Sequence, residues 1–168
     1  MIVIRWPTFA KICATWEGPE MLRQLLAALL LSWLCVCVHS VGAYGNLQLN
    51  ARALRHHRNL TLWLGWRLMM RTVAVLMMLH ALEIAIWAEF YLREHCFADA
   101  ETAFYFSTVT YVTLGYGDVL LPHEWRITGA AEAVIGVLMF GWSTASLVSF
   151  VHHIFTSKLK DYFAEFPA

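Results

Sequence analysis

Three long apolar runs stand out in the pattern of hydrophobic and polar positions along the chain. They cover Met21 to Ala43, Leu68 to Leu92, and Ile127 to Ile154. The first holds no charged residue after Arg23, and the third is interrupted by Glu132. A helix that rises about 1.5 Å per residue crosses a hydrocarbon core about 30 Å thick in roughly 20 residues. The pattern therefore predicts an all-α membrane protein with three transmembrane helices.

A shorter and more polar segment, Asp99 to Thr113, separates the second and third runs. Asp99 followed by Glu101 is typical of a helix start, since a side-chain oxygen caps the first turn and an acid complements the helix dipole. The residues up to about Val112 allow roughly three helical turns, too few to cross a membrane. We expect a re-entrant helix that stops at mid-depth, followed by a glycine-containing loop that protein or water surrounds. The C-terminal end of such a helix favours a cation.

Composition supports a membrane location. Hydrophobic residues make up 60% and charged residues 14% of the 168 residues, whereas soluble domains contain about 45–50% and about 25%. The formal net charge of zero argues against nucleic acid as a partner. Four cysteines are too few and too scattered for a disulfide framework. No constellation of catalytic residues or phosphate-binding glycine loop is present, so we expect neither enzymatic activity nor an organic cofactor.

Charge is distributed unevenly between the connecting segments. The linker 44–67 contains arginine and no acidic residue, whereas the segment between the second and third spans is mainly acidic. By the positive-inside rule the linker is cytoplasmic, which places the N-terminus outside the cell and the C-terminus inside. We expect a multi-pass protein of the cell membrane with a short cytoplasmic tail at 157–168. The arginines of the linker are Arg52, Arg55, Arg58 and Arg67.

The N-terminal segment 1–20 is predicted to be a tail that allows a helix along the membrane surface. The residues suited to that surface are Trp6, Phe9, Ile12 and Trp16. An alternative makes the first span a signal peptide cleaved after Val41-Gly42-Ala43, although the stretch ahead of the apolar run is long for one. Cys13 and Cys96 both fall on the predicted outer side, where they are either bridged or unpaired.

The segment Thr113-Leu114-Gly115-Tyr116-Gly117-Asp118 closely resembles the selectivity-filter signature of the potassium channel superfamily. The preceding residues, Phe104 to Thr110, resemble the pore helix of that family. The resemblance covers a two-transmembrane pore module at 68–156 and leaves 21–43 as an accessory transmembrane helix. Further matches fall at the outer arginine, the hinge glycine and the inner helix of the module, namely Trp125-Arg126, Gly136, Phe140-Gly141 and Thr144.

This resemblance implies a fourfold filter for potassium. Glycines at 115 and 117 allow positive φ, which lets successive carbonyls point to the same side instead of alternating. One chain supplies one carbonyl per level, so the resemblance implies a homotetramer in the lipid bilayer that conducts dehydrated K⁺ passively. Gly117 completes the filter. The implied ligands of K⁺ are the carbonyls of Thr113, Leu114, Gly115 and Tyr116, with the hydroxyl of Thr113.

Residues around the filter receive supporting roles from the same resemblance. Tyr116 is expected to pack against Tyr105 and Phe106. Thr110 is expected to support the filter from the pore helix. Asp118 is expected at the outer mouth, where its charge favours cation entry.

One face of the third span is predicted to line the cavity below the filter, because its members recur every three or four residues. An ordinary helix-packing stripe is the alternative. Gly136 and Gly141 are either hinges or close-packing residues. His152 lies near the cytoplasmic end, where four protonated copies would repel cations or where each merely reaches the headgroups. The face consists of Val137, Phe140, Thr144, Val148 and His152.

Ionisable residues at membrane depth are costly unless they are paired. His80 and Glu83 are three residues apart and can share a helical face, so we expect a pairing behind the pore that also involves Glu132. A role in gating or proton sensing is the alternative. No span carries arginine at every third position, so the sequence offers no voltage sensor.

Two other functions stay open. Leu114 stands where the family usually has valine and Val112 where threonine is common, which would suit a poorly selective cation channel. A haem-binding electron carrier is an alternative of another class, but it leaves the filter motif unexplained. Its axial ligands would be drawn from His39, His80, His152 and His153.

Overall fold

The computed structural model describes residues 19–56 and 61–165, in which all regular structure is helical. The four α-helices in these ranges are α1 (Pro19–His56), α2 (Leu62–Arg93), α3 (Ala100–Tyr111) and α4 (Arg126–Glu165), and a 3₁₀ turn, His123–Trp125, leads into α4. Three stretches are long and apolar enough to cross a membrane: Glu20–Arg55, Trp63–Arg93 and His123–Thr156. The predicted all-α architecture with three spans is confirmed.

The expectations for the N-terminal tail fall outside the described residues. One is the helix along the membrane surface. The other is the pairing of Cys13 with Cys96, since Cys13 lies in that tail. Within the described residues, Cys35 is fully buried and packs as a small hydrophobic side chain in the core.

The first helix extends well into the predicted linker 44–67, whose described part is largely helical. Polar side chains in this extension find partners on α2. Asn50 Nδ2 donates to Thr72 Oγ1 over 2.9 Å, and Asn50 Oδ1 accepts from Arg71 over 2.5 Å. Because Asn50 is paired between the helices, this part of the extension packs against α2 although its sequence is polar.

Contacts along its length place α1 antiparallel to α2 and parallel to α4. Near the start of α1, Arg23 forms an ion pair with Glu94 at 2.5 Å and lies 4.5 Å from the centre of the Trp125 ring. The side chain of Gln24 accepts from the Ile127 backbone N–H over 3.0 Å. The start of α1, the end of α2 and the start of α4 therefore lie at the same end of the bundle.

The short helix α3 lies between α2 and α4 and begins at the predicted cap. Asp99 Oδ1 accepts from the Thr102 backbone N–H over 2.8 Å, and Asp99 Oδ2 accepts from the Thr102 hydroxyl over 2.9 Å. These hydrogen bonds hold the pKa of Asp99 below its ordinary value. Further along, the Ser107 hydroxyl donates to the Ile84 carbonyl over 2.9 Å and attaches α3 to α2.

Two hydrophobic cores hold the bundle together. The larger core joins all four helices and the 3₁₀ turn, and it includes Trp87, Tyr91, Phe106, Tyr111 and Trp125. A smaller core joins the start of α2 to the later part of α4 through Leu64, Leu68 and Phe150. A cavity of about 710 Å³, lined by α1, α2 and α4, extends from Ser40 to Phe150.

Candidate functional site

The backbone that follows α3 folds back onto the end of that helix. Three consecutive amides donate to its last carbonyls: Thr113 to Thr110 over 2.9 Å, Leu114 to Val109 over 2.8 Å, and Gly115 to Val109 over 3.0 Å. In a planar trans peptide the carbonyl that precedes an amide points the opposite way from its N–H. The preceding carbonyls, those of Val112, Thr113 and Leu114, therefore all point away from α3, toward the same side of the chain.

The sign of φ alternates through this segment. Thr113, Gly115 and Gly117 have φ of 59°, 48° and 79°, whereas Leu114 and Tyr116 do not have positive φ. A Cβ added at either glycine would meet nothing within 4 Å, so the backbone angle and not crowding requires glycine there. Positive φ at both glycines was predicted and is confirmed. The angle at Thr113 was not predicted, because β-branched residues rarely adopt it.

Two tyrosines near this segment are placed differently. Tyr116 is 67% exposed on the single chain, and its predicted packing against α3 stays a prediction. The Tyr105 hydroxyl donates to Asp118 Oδ2 over 2.7 Å, and this bond raises the pKa of Tyr105. Phe106 turns into the core, where its ring centroid lies 5.4 Å from that of Tyr91. Asp118 is therefore attached to α3 through Tyr105.

A cavity of about 510 Å³ lies along the flank of the same segment. Thr110 of α3 and Thr113 and Gly115 of the loop form one wall, and small residues of α4, Gly129 and Ala130, form another. Thr110 thus lines the same cavity as Thr113, and its supporting role stays a prediction. The outer arginine, Arg126, also lines this cavity.

The predicted cavity-lining face of α4 is exposed on the single chain. Val137 is 55% and Val148 62% exposed, and Thr144 and His152 are exposed as well. Phe140 differs, because its ring centroid lies 4.4 Å from that of His80 and it is only 38% exposed. The other four residues therefore leave much of their surface free on the single chain.

The two candidate hinge glycines of α4 differ in their surroundings. A Cβ at Gly136 would lie 2.1 Å from the Tyr111 carbonyl oxygen, whereas a Cβ at Gly141 would meet nothing within 4 Å. Gly136 is therefore a close-packing residue that lets α4 approach the end of α3. Gly141 has no such packing role in the single chain.

Four buried polar side chains gather around the carboxylate of Glu83, and together with Glu83 we call them the Glu83 cluster: His39, His80, Glu83, Tyr111 and Ser143. His39 Nδ1 lies 2.8 Å from Glu83 Oε1, and the Tyr111 hydroxyl donates to Glu83 Oε2. His80 Nδ1 lies 3.6 Å from Glu83 Oε2 and 3.1 Å from the Tyr111 oxygen. Ser143 Oγ lies 3.2 Å from His39 Nε2 and 3.0 Å from His80 Nε2.

The Glu83 cluster contains the predicted pairing of His80 with Glu83 and adds three partners. The nearest partner of Glu83 is His39 of α1. The one signal in the sequence for its involvement was that a histidine lies in a strongly apolar span. Tyr111 stands two residues before Thr113 in the chain. The cluster therefore connects the accessory helix to the end of α3.

Glu132 is held separately from this cluster. Its carboxylate accepts hydrogen bonds from the Ser107 hydroxyl over 2.5 Å and from the Tyr91 hydroxyl over 2.7 Å. All three residues are fully buried. Glu132 thus links α4 to α2 and α3 without an ion pair among the described residues.

The contact of His39 and His80 with one shared hydroxyl does not suit a haem between these two rings. The ring centroids of His39 and His80 are 5.5 Å apart, and both rings contact the same Ser143 hydroxyl. A porphyrin held by two axial imidazoles must lie between them. His152 is exposed and interacts with Thr156 of its own helix over 3.4 Å.

Three membrane-spanning helices with a short helix and a turning loop between the last two define a multi-pass membrane protein with a pore-type module. The sequence profile described as ion channel matches residues 60–153, more than half of the chain, and the chain belongs to the ion channel family. No curated protein and no solved structure matches the chain.

Proposed function

We propose that the chain is a potassium-selective channel that conducts K⁺ passively through a filter built from four copies of residues 113–117. The observation that carries this proposal is the direction of the carbonyls of Val112, Thr113 and Leu114, which point away from α3 because the amides that follow them donate back to that helix. Two of these three, Thr113 and Leu114, belong to the proposed filter. Such a row of oxygens replaces the water around a dehydrated cation. The ligands would be the carbonyls of Thr113, Leu114, Gly115 and Tyr116, with the hydroxyl of Thr113.

A homotetramer follows from the chemistry of the ion. One chain offers one oxygen per level, and a potassium ion gives up its water only where several oxygens surround it. An isolated loop at membrane depth would also leave its carbonyls unpaired, at several kcal/mol each. The exposed face of α4, with Val137, Thr144 and Val148, would line the central cavity of such an assembly.

Orientation follows from the two ends of the bundle. The end near α3 carries acidic residues, including Glu94, Asp99 and Asp118, whereas the opposite end of α1 carries Arg52 and Arg55. By the positive-inside rule the arginine end faces the cytoplasm. We therefore place the filter on the outer side of the cell membrane, with the N-terminus outside and the C-terminus inside. Asp118 would attract cations at the outer mouth.

Potassium flux into liposomes that carry the purified protein tests this function. We expect uptake of K⁺ that barium blocks, and a reversal potential that follows the potassium gradient when sodium is on the other side. Gly115→Ala should abolish the flux, because its φ of 48° is strained for alanine. Gly45→Ala is the matched control, since its Cβ meets nothing within 4 Å in α1.

The outcomes separate the alternatives. Equal permeability to sodium and potassium would show a poorly selective cation channel instead. Leu114 and Val112, which differ from the residues usual in the family, would suit that function. Absence of flux from intact tetramers, or equal flux with Gly115→Ala, would contradict the proposed filter.

A further inference from the structure

Three metal-ligating side chains of the Glu83 cluster converge inside the bundle. His39 of α1 and His80 and Glu83 of α2 each offer one donor atom, and these atoms lie within 4.8 Å of one another. All three residues are at most 5% exposed. Two imidazoles and one carboxylate form a donor set that binds zinc in proteins.

Distances in the cluster suit a small cation. Donor atoms about 2 Å from a tetrahedral zinc ion lie roughly 3.3 Å from one another. His39 Nδ1 and His80 Nδ1 lie 2.8 Å and 3.6 Å from the two carboxylate oxygens of Glu83. The Tyr111 oxygen, 3.1 Å from His80 Nδ1, supplies a fourth donor beside them. The three ligand atoms, which lie within 4.8 Å of one another, would move closer together around an ion.

The other ring nitrogens are positioned as metal-bound histidines require. An imidazole that binds a metal through Nδ1 carries its hydrogen on Nε2, and that hydrogen needs an acceptor. Both Nε2 atoms, of His39 and of His80, face the single oxygen of Ser143, at 3.2 Å and 3.0 Å. A hydroxyl oxygen has two lone pairs and accepts both hydrogens.

A count of hydrogens shows that the cluster lacks one positive charge. Its members form a closed ring of contacts, from Glu83 through His39, Ser143, His80 and Tyr111 back to Glu83. Every contact needs a hydrogen, but an ionised carboxylate contributes none and the four other neutral side chains contribute one each. One contact is left with two facing acceptors, and the carboxylate charge is uncompensated. A metal cation in the ring would remove the facing acceptors and compensate the carboxylate, as an extra proton would.

Aromatic rings cover the cluster, and a cavity lies close to it. The rings of Phe140 and Trp142 lie 4.4 Å from His80 and 5.6 Å from His39, between centroids, and keep the site dry. The cavity of about 710 Å³ reaches Ser40, next to His39, and also touches Trp142. The five residues of the cluster do not line this cavity, so an ion entering through it would pass between the side chains that separate the two.

We infer that the Glu83 cluster is a zinc site with one ion per chain, bound by His39, His80 and Glu83, with the Tyr111 oxygen in the fourth position and Ser143 orienting both imidazoles. Such an ion fastens α1 to the module that contains α3. Because Tyr111 stands just before the filter segment, the ion also fixes the end of the helix that supports it. This inference does not depend on which ion the protein conducts.

Metal analysis of the purified full-length protein tests the site. After removal of metal with a chelator and reloading with zinc, we expect about one zinc per chain by mass spectrometry. His39→Gln keeps a hydrogen-bond donor toward Glu83 but removes a ligand, and should bind less than a tenth as much. His152→Gln, a histidine outside the cluster, is the matched control and should keep the wild-type content. Cobalt(II) should give the visible absorption of a tetrahedral site in wild type and not in His39→Gln.

A variant that keeps all three ligands guards against misfolding. Ser143→Ala removes the shared acceptor, and we expect it to bind zinc about 10–100-fold more weakly while retaining the tetramer. Wild-type protein that takes up no zinc, or the same zinc content in wild type and a folded His39→Gln, would overturn the inference. Unchanged zinc affinity in Ser143→Ala would do the same. Such a result would mean that an extra proton, and not a metal ion, supplies the hydrogen that the fifth contact of the Glu83 cluster lacks.

Discussion

At the scale of single residues, the two glycines of α4 give opposite predictions for the same substitution. Gly136→Ala would drive a methyl group into the Tyr111 carbonyl, 2.1 Å away, and backbone on both sides leaves little room to relax. We expect a loss of about 1–3 kcal/mol, seen as a lower melting temperature of the detergent-solubilised protein. Gly141→Ala should melt at or above the wild-type temperature, since alanine favours a helix and its methyl meets open space. Equal melting temperatures for the two variants would contradict the packing role of Gly136.

The hydrogen bond between Tyr105 and Asp118 leads to a second prediction. The bond exists while Tyr105 keeps its proton, and because the pKa of Tyr105 is raised, it should persist through pH 10 and disappear only as pH rises through that higher value. Loss of this bond should therefore cause no change in potassium flux when the outer pH is varied between about 7 and 9. Tyr105→Phe should lower the flux at neutral pH.

The control for that prediction keeps the acceptor and removes the charge. Asp118→Asn retains an oxygen for the Tyr105 hydroxyl, so its loop should stay attached to α3. Wild-type flux in Tyr105→Phe would refute the role of this bond. It would also be refuted if limited proteolysis cut the loop faster in Asp118→Asn than in Tyr105→Phe.

At the scale of elements, the cap of α3 should make the short helix sensitive to acid. The lowered pKa of Asp99 means that its charge stabilises the folded state above the ordinary carboxyl pKa of about 4, and that this contribution is lost as pH falls through the lower folded value. Asp99→Ala should lower the melting temperature at pH 7, whereas Asp99→Ser should restore much of it because serine also caps. The difference between wild type and Asp99→Ala should vanish at low pH. A constant difference across pH would show that the charge is not involved.

The elements differ in how far the sequence alone predicted them. Span lengths and the Asp99 cap are local properties, so apolar runs and one capping residue sufficed for α2, α3 and α4. The extension of α1 depends on Asn50 finding Thr72 and Arg71 on another helix, which no local pattern reveals. The motif around Gly115 and Gly117 was identified by its resemblance to a channel filter, and their positive φ was expected because glycine adopts it freely. The positive φ of Thr113 accompanies hydrogen bonds from the loop to α3 that no local pattern reveals. The partnership of His39 with Glu83 joins residues far apart in the chain, and one sequence carries no record of such a contact.

At the scale of the whole molecule, the proposed orientation makes opposite ends of the bundle accessible from opposite sides of the membrane. Glu101 near the start of α3 and Arg52 near the end of α1 are both exposed. In a background without native cysteines, Glu101→Cys in intact cells should react with a membrane-impermeant maleimide, and Arg52→Cys should react only after the membrane is opened. The reverse labelling pattern would invert the proposed topology, and labelling of both in intact cells would refute it.

The attachments of α4 to α1 have a mechanical consequence. At its start α4 is held by Gln24 at Ile127, and midway along its length it is held by His39 at Ser143. Beyond Ser143 its described contacts with α2 reduce to the small core around Phe150, and the neighbouring cavity offers free volume. The part of α4 beyond Ser143 can therefore move relative to the part before it, with the hydrogen bonds of the Ser143 hydroxyl as the pivot. Amide hydrogen exchange should be faster in 144–156 than in 126–143, and a uniform rate along α4 would mean that the helix moves as one rigid rod.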